Sequence, residues 1–446
     1  MSINRFYRSM STLRFRISKA VEGTSKPPIP QAYAWASNYK ETPTRPLLDV
    51  SQGVPGVPPP KLFLDELART SSSPTSCGYV PNVGEPALRQ AIVQEMKIAY
   101  GKNADISPDD IAITAGCNLA FSAAIMTIAE RGDQVILPVP WYFNNEMTLS
   151  MLGIETVCLP TSPDAGFLPS AEECSKLITP KTKAIVLVSP NNPTGAIYPA
   201  SLLAEFAALA HKYQIALIID ETYHDFIPDD SLPPHNLFFS TTAPSTNSNL
   251  ISIQSHDSPT RISPQGLPED WSWRNTLIHI FSFSKSYCIP GHRVGLVCAS
   301  PDLIPSLNIA LDNLQICAPR PPQLALSAVL PLLRPFVRKN KEDLLHRHKI
   351  FKEHLPAGWD IGAQGGYFAF VKHPWKGVKS EVVCKRLAEE IGVVCLPASF
   401  FGPASSGTGL ERWVRFSVAN VDDEKLKLVC LRLKEAMDVF GWELEN

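Results

Sequence analysis

The sequence predicts an α/β protein: a mostly parallel sheet with helices on each side. Three observations carry this. Residues 183–188 and 215–219 are short runs that are apolar at nearly every position, as strands covered on both faces are. They alternate with segments of helical period, such as Phe121, Ile125 and Ile128 at i, i+4 and i+7. The chemically distinctive residues cluster just after such runs, where ligands bind in this architecture. At 446 residues the chain is too long for one small core, so two or three domains are expected.

The elements follow in order. Residues 1–21 carry Arg5, Arg8, Arg14, Arg16 and Lys19, with no acid before Glu22. That composition suits a mitochondrial transit peptide or the basic arm of a cytoplasmic enzyme. Residues 24–60 are rich in proline and read as extended. Residues 110–114 read as a strand stopping at Gly116, and a helix follows to Gly132 and Asp133. Residues 134–138 are the next strand. Residues 228–273 break the rhythm with Ser, Pro, Thr and Asn and read as a loop insertion. After 321 the pattern is helical at 322–336 and 421–439, with strands at 366–371 and 413–418, which suits a smaller α+β domain. The expected division is a tail at 1–30, a segment at 31–75 joining the small domain, a large domain at 76–320 and a small domain at 321–446.

Composition narrows the function classes. Apolar residues make up 44% and charged residues 19%, as in soluble globular proteins. A net charge of -2 supplies no basic field for nucleic acid or a membrane surface. No run approaches the roughly 18 apolar residues of a membrane span. The ten cysteines include no CxxC pair, and most lie in apolar runs, as reduced buried thiols do. The ten histidines show no metal spacing, so no metal is expected.

One run dominates the chemistry. The apolar stretch 276–281 feeds into Ser282, Phe283, Ser284, Lys285 and Ser286, and Arg293 follows eight positions after the lysine. A lysine carried out of a buried strand on small hydroxyl residues reads as an amine that captures an aldehyde. The arginine reads as a bidentate clamp for a phosphate. That pairing is what pyridoxal 5'-phosphate requires. Other signals surround it. Gly116, Cys117 and Asn118 open a helix, whose free N–H groups bind phosphate, although a glycine before a helix is ordinary. Pro140, Trp141, Tyr142 and Phe143 offer a ring to stack on a flat cofactor, Tyr142 ahead of Trp141, or simply core aromatics. Asn192 lies in the turn formed by Pro193, Thr194 and Gly195. Asp220 ends the hydrophobic run 215–219, where a carboxylate is costly without a partner. A protonated pyridine nitrogen is such a partner, and capping a helix is the plainer alternative. Arg415 sits among apolar strand residues and needs an anion.

Taken in order, these motifs closely resemble the class I/II aminotransferases of the aspartate aminotransferase fold (pyridoxal-phosphate fold type I). The resemblance spans roughly residues 45–440. It implies a large domain with a seven-stranded, mostly parallel sheet and a smaller α+β domain. It implies an enzyme that moves an amino group between an amino acid and a 2-oxo acid. Lys285 would hold the cofactor and transfer protons. Asp220 would keep the ring nitrogen protonated, and Tyr223 and Asn192 would bond the ring oxygen. Tyr142 would stack on the ring. Gly116, Cys117, Asn118, Ser282, Ser284 and Arg293 would hold the phosphate. Arg415, Asn192 and the backbone of Gly53 would bind the substrate carboxylate. Tyr79 matches a tyrosine that reaches the neighbouring subunit's phosphate, which implies a homodimer with shared active sites.

Two departures stand out. Ala398 replaces a usual glycine. The position facing a dicarboxylate's distal acid falls near Gln315, which argues against aspartate, while Arg320 nearby is placed to read a polar side chain. A lyase or cyclising enzyme on this scaffold, resembling aminocyclopropane-carboxylate synthases or carbon–sulfur lyases, shares the same residues. A non-catalytic cofactor-binding protein is the remaining alternative.

Overall fold

The computed structural model describes residues 13–228, 233–239, 267–268, 270–403 and 409–445. The first strand, β1 (Leu48–Asp49), precedes the large sheet. That sheet comprises β2 (Ile111–Thr114), β3 (Gln134–Val139), β4 (Glu155–Pro160), β5 (Thr182–Val188), β6 (Ala216–Asp220), β7 (Leu277–Ser282) and β8 (Gly295–Cys298). Its order is β2-β8-β7-β6-β5-β3-β4. All neighbours are parallel except β8, which runs against both β2 and β7. The reversal has a consequence for the site. Because Gly295 pairs with both Thr114 and Ser282, the residues just before β8 reach the same sheet edge as those just after β2 and β7.

Strands β5, β6 and β7 are buried along almost their whole length, which explains their unbroken apolar sequence. The helix Cys117–Ile128 packs on β7 and β8, and Ala200–Tyr213 packs on β6. A second sheet of order β12-β13-β10-β9 is antiparallel: β9 (Asp360–Gly365), β10 (Phe368–Lys372), β12 (Leu396–Pro397) and β13 (Trp413–Ser417). Between them in sequence, β11 (Val393–Val394) pairs with β1, tying the N-terminal segment to this half. The helices Arg334–His354 and Asp423–Phe440 pack on one another beside it.

Three expectations change. Within 24–60 the structure has a helix, Pro28–Ala36. Proline suits the first turn of a helix, where its missing N–H bonds nothing, so proline content there did not mean extended chain. Residues after 321 do not pass at once to the second core: Ala325, Leu326, Val329, Leu333 and Val337 join the large-sheet core, and the second core starts at Leu344 in this part of the chain. The 228–273 insertion lies partly outside the described residues. Its described ends are built into the core, with Leu237, Phe238, Trp271 and Trp273 buried. The first twelve residues of the basic N-terminal stretch also lie outside the described residues.

Candidate active site

A cleft of about 410 Å³ opens at the strand ends between the two sheets. Strands β3, β5, β6 and β7 deliver residues from their C-terminal ends or the turns that follow. Asp220 is the last residue of β6, Asn192 lies in the turn after β5, and Tyr142 follows β3. Ser282 ends β7, and its hydroxyl accepts the Ser284 N–H at 3.2 Å, opening the single helical turn that presents Lys285. Gly53, Cys117, Asn118, Tyr223, Ser284, Arg293 and Arg415 also line this cleft. Trp141 is instead buried in the large core, so Tyr142 is the cleft-facing ring of the pair.

Lys285 is half-buried, with its Nζ donating to the Gly53 carbonyl and lying 5.9 Å from the Tyr367 ring centre. Burial, then Arg415 and Arg293, lower its pKa from 10.5 to about 8. Its carbonyl accepts the Tyr367 hydroxyl at 3.0 Å, which fixes the turn. Asp220 is 7% exposed. Its Oδ1 accepts the Thr222 N–H at 2.9 Å, and its Oδ2 accepts the Cys117 thiol at 3.5 Å. Burial raises its pKa, as it must for a carboxylate with no cation bonded to it among the described residues.

Gly116 has a left-handed φ of 87°, and a Cβ there would stand 2.0 Å from Arg293 Nη2. Only glycine lets the guanidinium lie against this helix start. Arg293 itself adopts φ 52°, a strained value for a side-chain-bearing residue, and donates to Pro290 O at 2.9 Å and Ala115 O at 3.3 Å. Gly195 is similar: a Cβ would meet Phe368 O at 2.4 Å, so glycine allows the Asn192 turn to dock on the small sheet.

Arg415, in β13, is 2% exposed. Its Nη1 donates to Asn192 Oδ1 at 2.8 Å and its Nη2 to the Ser51 carbonyl, while its buried Nε has no partner among the described residues. The rings of Phe368 and Phe401 flank the guanidinium at 4.5 and 4.9 Å. Those rings, the Cys117 thiol on Asp220, Thr222 and Tyr367 were not singled out in the sequence. The aromatics at 367–368 and 400–401 were visible only as strand and loop residues, because nothing local marks which ring meets the arginine. Three cations (Lys285, Arg293, Arg415) face one carboxylate (Asp220) in the lining, a field suited to a ligand bearing phosphate and carboxylate.

Two expected positions fall elsewhere. Gln315 bonds Ala115 N at 2.7 Å and Ile113 O at 3.1 Å, bracing the helix start instead of facing a ligand. Arg320 pairs with Glu85 at 2.6 Å and donates to Thr75 O at 2.8 Å, outside the cleft. Tyr79 is 79% exposed and is not in its own chain's cleft. Ala398 is buried in a short turn whose end, Phe401, accepts the Trp141 N–H at 2.8 Å.

The family model for aminotransferase class I and II matches residues 45–433. The chain belongs to the class I and II aminotransferases. An aromatic aminotransferase of Arabidopsis thaliana is 25% identical over 431 residues, covering 95% of this chain and 96% of that protein. An aspartate aminotransferase of Pyrococcus horikoshii is 27% identical over 401 residues, covering 88% of this chain and 91% of that protein. The solved N-succinyldiaminopimelate aminotransferase of Mycobacterium tuberculosis shares the fold, with a TM-score of 0.79 at 23% identity over 94% of this chain and 100% of that one. This aminotransferase has no group of three or more His, Cys, Asp or Glu placed to hold a metal among its described residues. No described helix is long and apolar enough to cross a membrane.

Proposed function

We propose that this aminotransferase holds pyridoxal 5'-phosphate on Lys285 and uses it to move an amino group from an amino acid to a 2-oxo acid. The observation that carries the reading is one cleft combining a lysine of depressed basicity with a buried carboxylate that has no bonded cation among the described residues. Asp220 suits the protonated ring nitrogen, which would supply the cation its burial calls for. Tyr223 and Asn192 would bond the ring oxygen, and Tyr142 would supply a stacking ring. The helix start at Gly116, Cys117 and Asn118, with Ser282, Ser284 and Arg293, forms the phosphate cradle. When bound, the cofactor supplies an electron-withdrawing ring that weakens a bond at the substrate Cα.

The chain's residues do the rest. Arg415 takes the substrate carboxylate, with Asn192 and the Gly53 backbone beside it, and fixes which Cα bond stands across the ring. Lys285 Nζ, deprotonated more readily than an exposed lysine, would take the proton from Cα and deliver it to the carbon that carried the cofactor's aldehyde, the reverse path serving the 2-oxo acid. Tyr79, exposed on its own chain, suits a homodimer in which it reaches a second copy's phosphate. For the donor we favour an uncharged side chain, because Ile29, Val54 and Phe143 line the cleft and its three cations already have assigned anions or the cofactor aldehyde.

The test is spectroscopic. Wild-type protein mixed with the cofactor should gain an absorbance band at the visible edge that amino acids discharge; Lys285→Ala should not. A band that survives the substitution refutes the assignment. Screening amino donors against pyruvate and 2-oxoglutarate then tests the side-chain reading, and aspartate emerging as the best donor overturns it.

A further inference from the structure

Directly after Asp220 the chain carries a second buried carboxylate, which the transfer reaction does not use. Glu221 is 1% exposed. Three side chains converge on its Oε2: the Tyr100 hydroxyl donates at 2.6 Å and His235 Nε2 at 2.9 Å, while His279 Nε2 lies 3.2 Å away and hydrogen-bonds the Tyr100 hydroxyl at 3.1 Å. They come from three places. Tyr100 ends the helix Pro86–Tyr100, His279 lies in β7, and His235 belongs to the first described part of the 228–273 insertion. His235 Nδ1 accepts the Leu237 N–H at 3.2 Å, which leaves Nε2 as the donor to Glu221. The Tyr100 ring stacks on His235 at 4.8 Å, and Phe238 meets its edge at 4.8 Å.

Burying an ionised carboxylate is expensive unless donors surround it. Burial alone would raise the Glu221 pKa, but His235 and His279 hold it well below the ordinary value, so the group is an anion. An anion with two hydrogen-bond donors on one oxygen and a third ring nitrogen against it accepts little displacement, because each charge-assisted bond lost leaves buried charge behind. The point so fixed is one peptide from Asp220. Glu221 N–H donates to Ile280 O at 3.0 Å, and Ser189 N–H donates to Asp220 O at 3.0 Å. The Asp220 carboxylate itself has only the Thr222 N–H and the Cys117 thiol as bonded donors among the described residues, so its aim follows the backbone.

We infer that Glu221, with Tyr100, His235 and His279, is a positioning device that aims Asp220 into the cleft, and that the insertion contributes to catalysis through His235. This rests on the reading that Asp220 meets the cofactor's ring nitrogen.

The test compares His235→Leu with His235→Gln, whose side-chain amide can replace the lost N–H donor, and adds Tyr100→Phe. His235→Leu should lower kcat roughly 10- to 100-fold with KM within about threefold, and weaken pyridoxal phosphate binding to the apoprotein, read by fluorescence titration, by at least about tenfold. His235→Gln should recover most of both. Tyr100→Phe, which keeps the His235 donor on Glu221 and leaves His279 Nε2 nearby, should lower kcat by about three- to tenfold and decides the matter if His235→Leu does not fold. Loss of thermal stability with unchanged kcat and cofactor affinity overturns the inference, as does a glutamine variant no better than leucine. Asp220→Asn run alongside separates the two ideas: near-normal turnover there defeats the reading of Asp220 itself.

Discussion

Arg415→Lys should cripple recognition of the substrate carboxylate while leaving the cofactor site intact. Burial lowers the Arg415 pKa from 12.5 to about 10, so the cation is held at a cost of roughly 3 kcal/mol. Its Nη1 and Nη2 bond Asn192 and Ser51, and its Nε has no partner among the described residues. A carboxylate entering the cleft relieves that cost, and losing one member of a buried charge pair costs about 2–5 kcal/mol. Lysine retains the charge but not the flat fork that lies between Phe368 and Phe401 while bonding along two edges. The expected loss is about 3 kcal/mol, or roughly 150-fold in kcat/KM. The assay compares an amino acid donor with the amine of the same side chain that lacks the carboxylate. The acid should fall by that factor and the amine should not change. Equal losses for both, or an unchanged acid, would refute the reasoning.

Other perturbations probe the rest of the cleft. Asp220→Asn should weaken cofactor binding without abolishing it and lower kcat roughly 10²- to 10³-fold, since a fixed charge at a reacting ring is lost; near-normal rates in steady-state assays would mean another partner for the ring nitrogen. Gly116→Ala should press a methyl group onto Arg293 and cost at least about tenfold in affinity for pyridoxal phosphate relative to pyridoxal; an unchanged ratio in fluorescence titrations removes Arg293 from the phosphate. Cofactor capture by the apoprotein needs Lys285 uncharged. Because the fold lowers its pKa to about 8, the stopped-flow rate should rise with pH below that value and level off above it. A rate still climbing past about pH 10 would mean the amine keeps its ordinary basicity.

Much of the site was legible because its chemistry is local. Lys285 with Arg293, Asp220 at the end of an apolar run, and Gly116 before a helix each stand within a few residues of what defines them. The periodicity of β5 and β6 was equally plain, since burial on both faces demands apolar residues throughout. Long-range partners were not legible. Gln315 was expected near the position facing a distal acid, and Arg320 was a candidate to read a polar side chain, yet they bond Ala115 and Glu85, residues some 200 positions away in sequence. The helix at Pro28–Ala36 hid behind prolines that a first turn accepts.

By itself, the sequence determined the α/β architecture, the family and most of the polar residues that line the cleft, because a strand or a turn declares itself through its nearest neighbours. Only the tertiary structure decided that β8 runs backwards and so brings Arg293 beside Gly116, that Phe368 and Phe401 enclose Arg415, and that His235 reaches Glu221 from the insertion. Those arrangements depend on which elements become neighbours in space. A buried charge takes its donors from whatever the fold places beside it, and no local pattern in the chain encodes that choice.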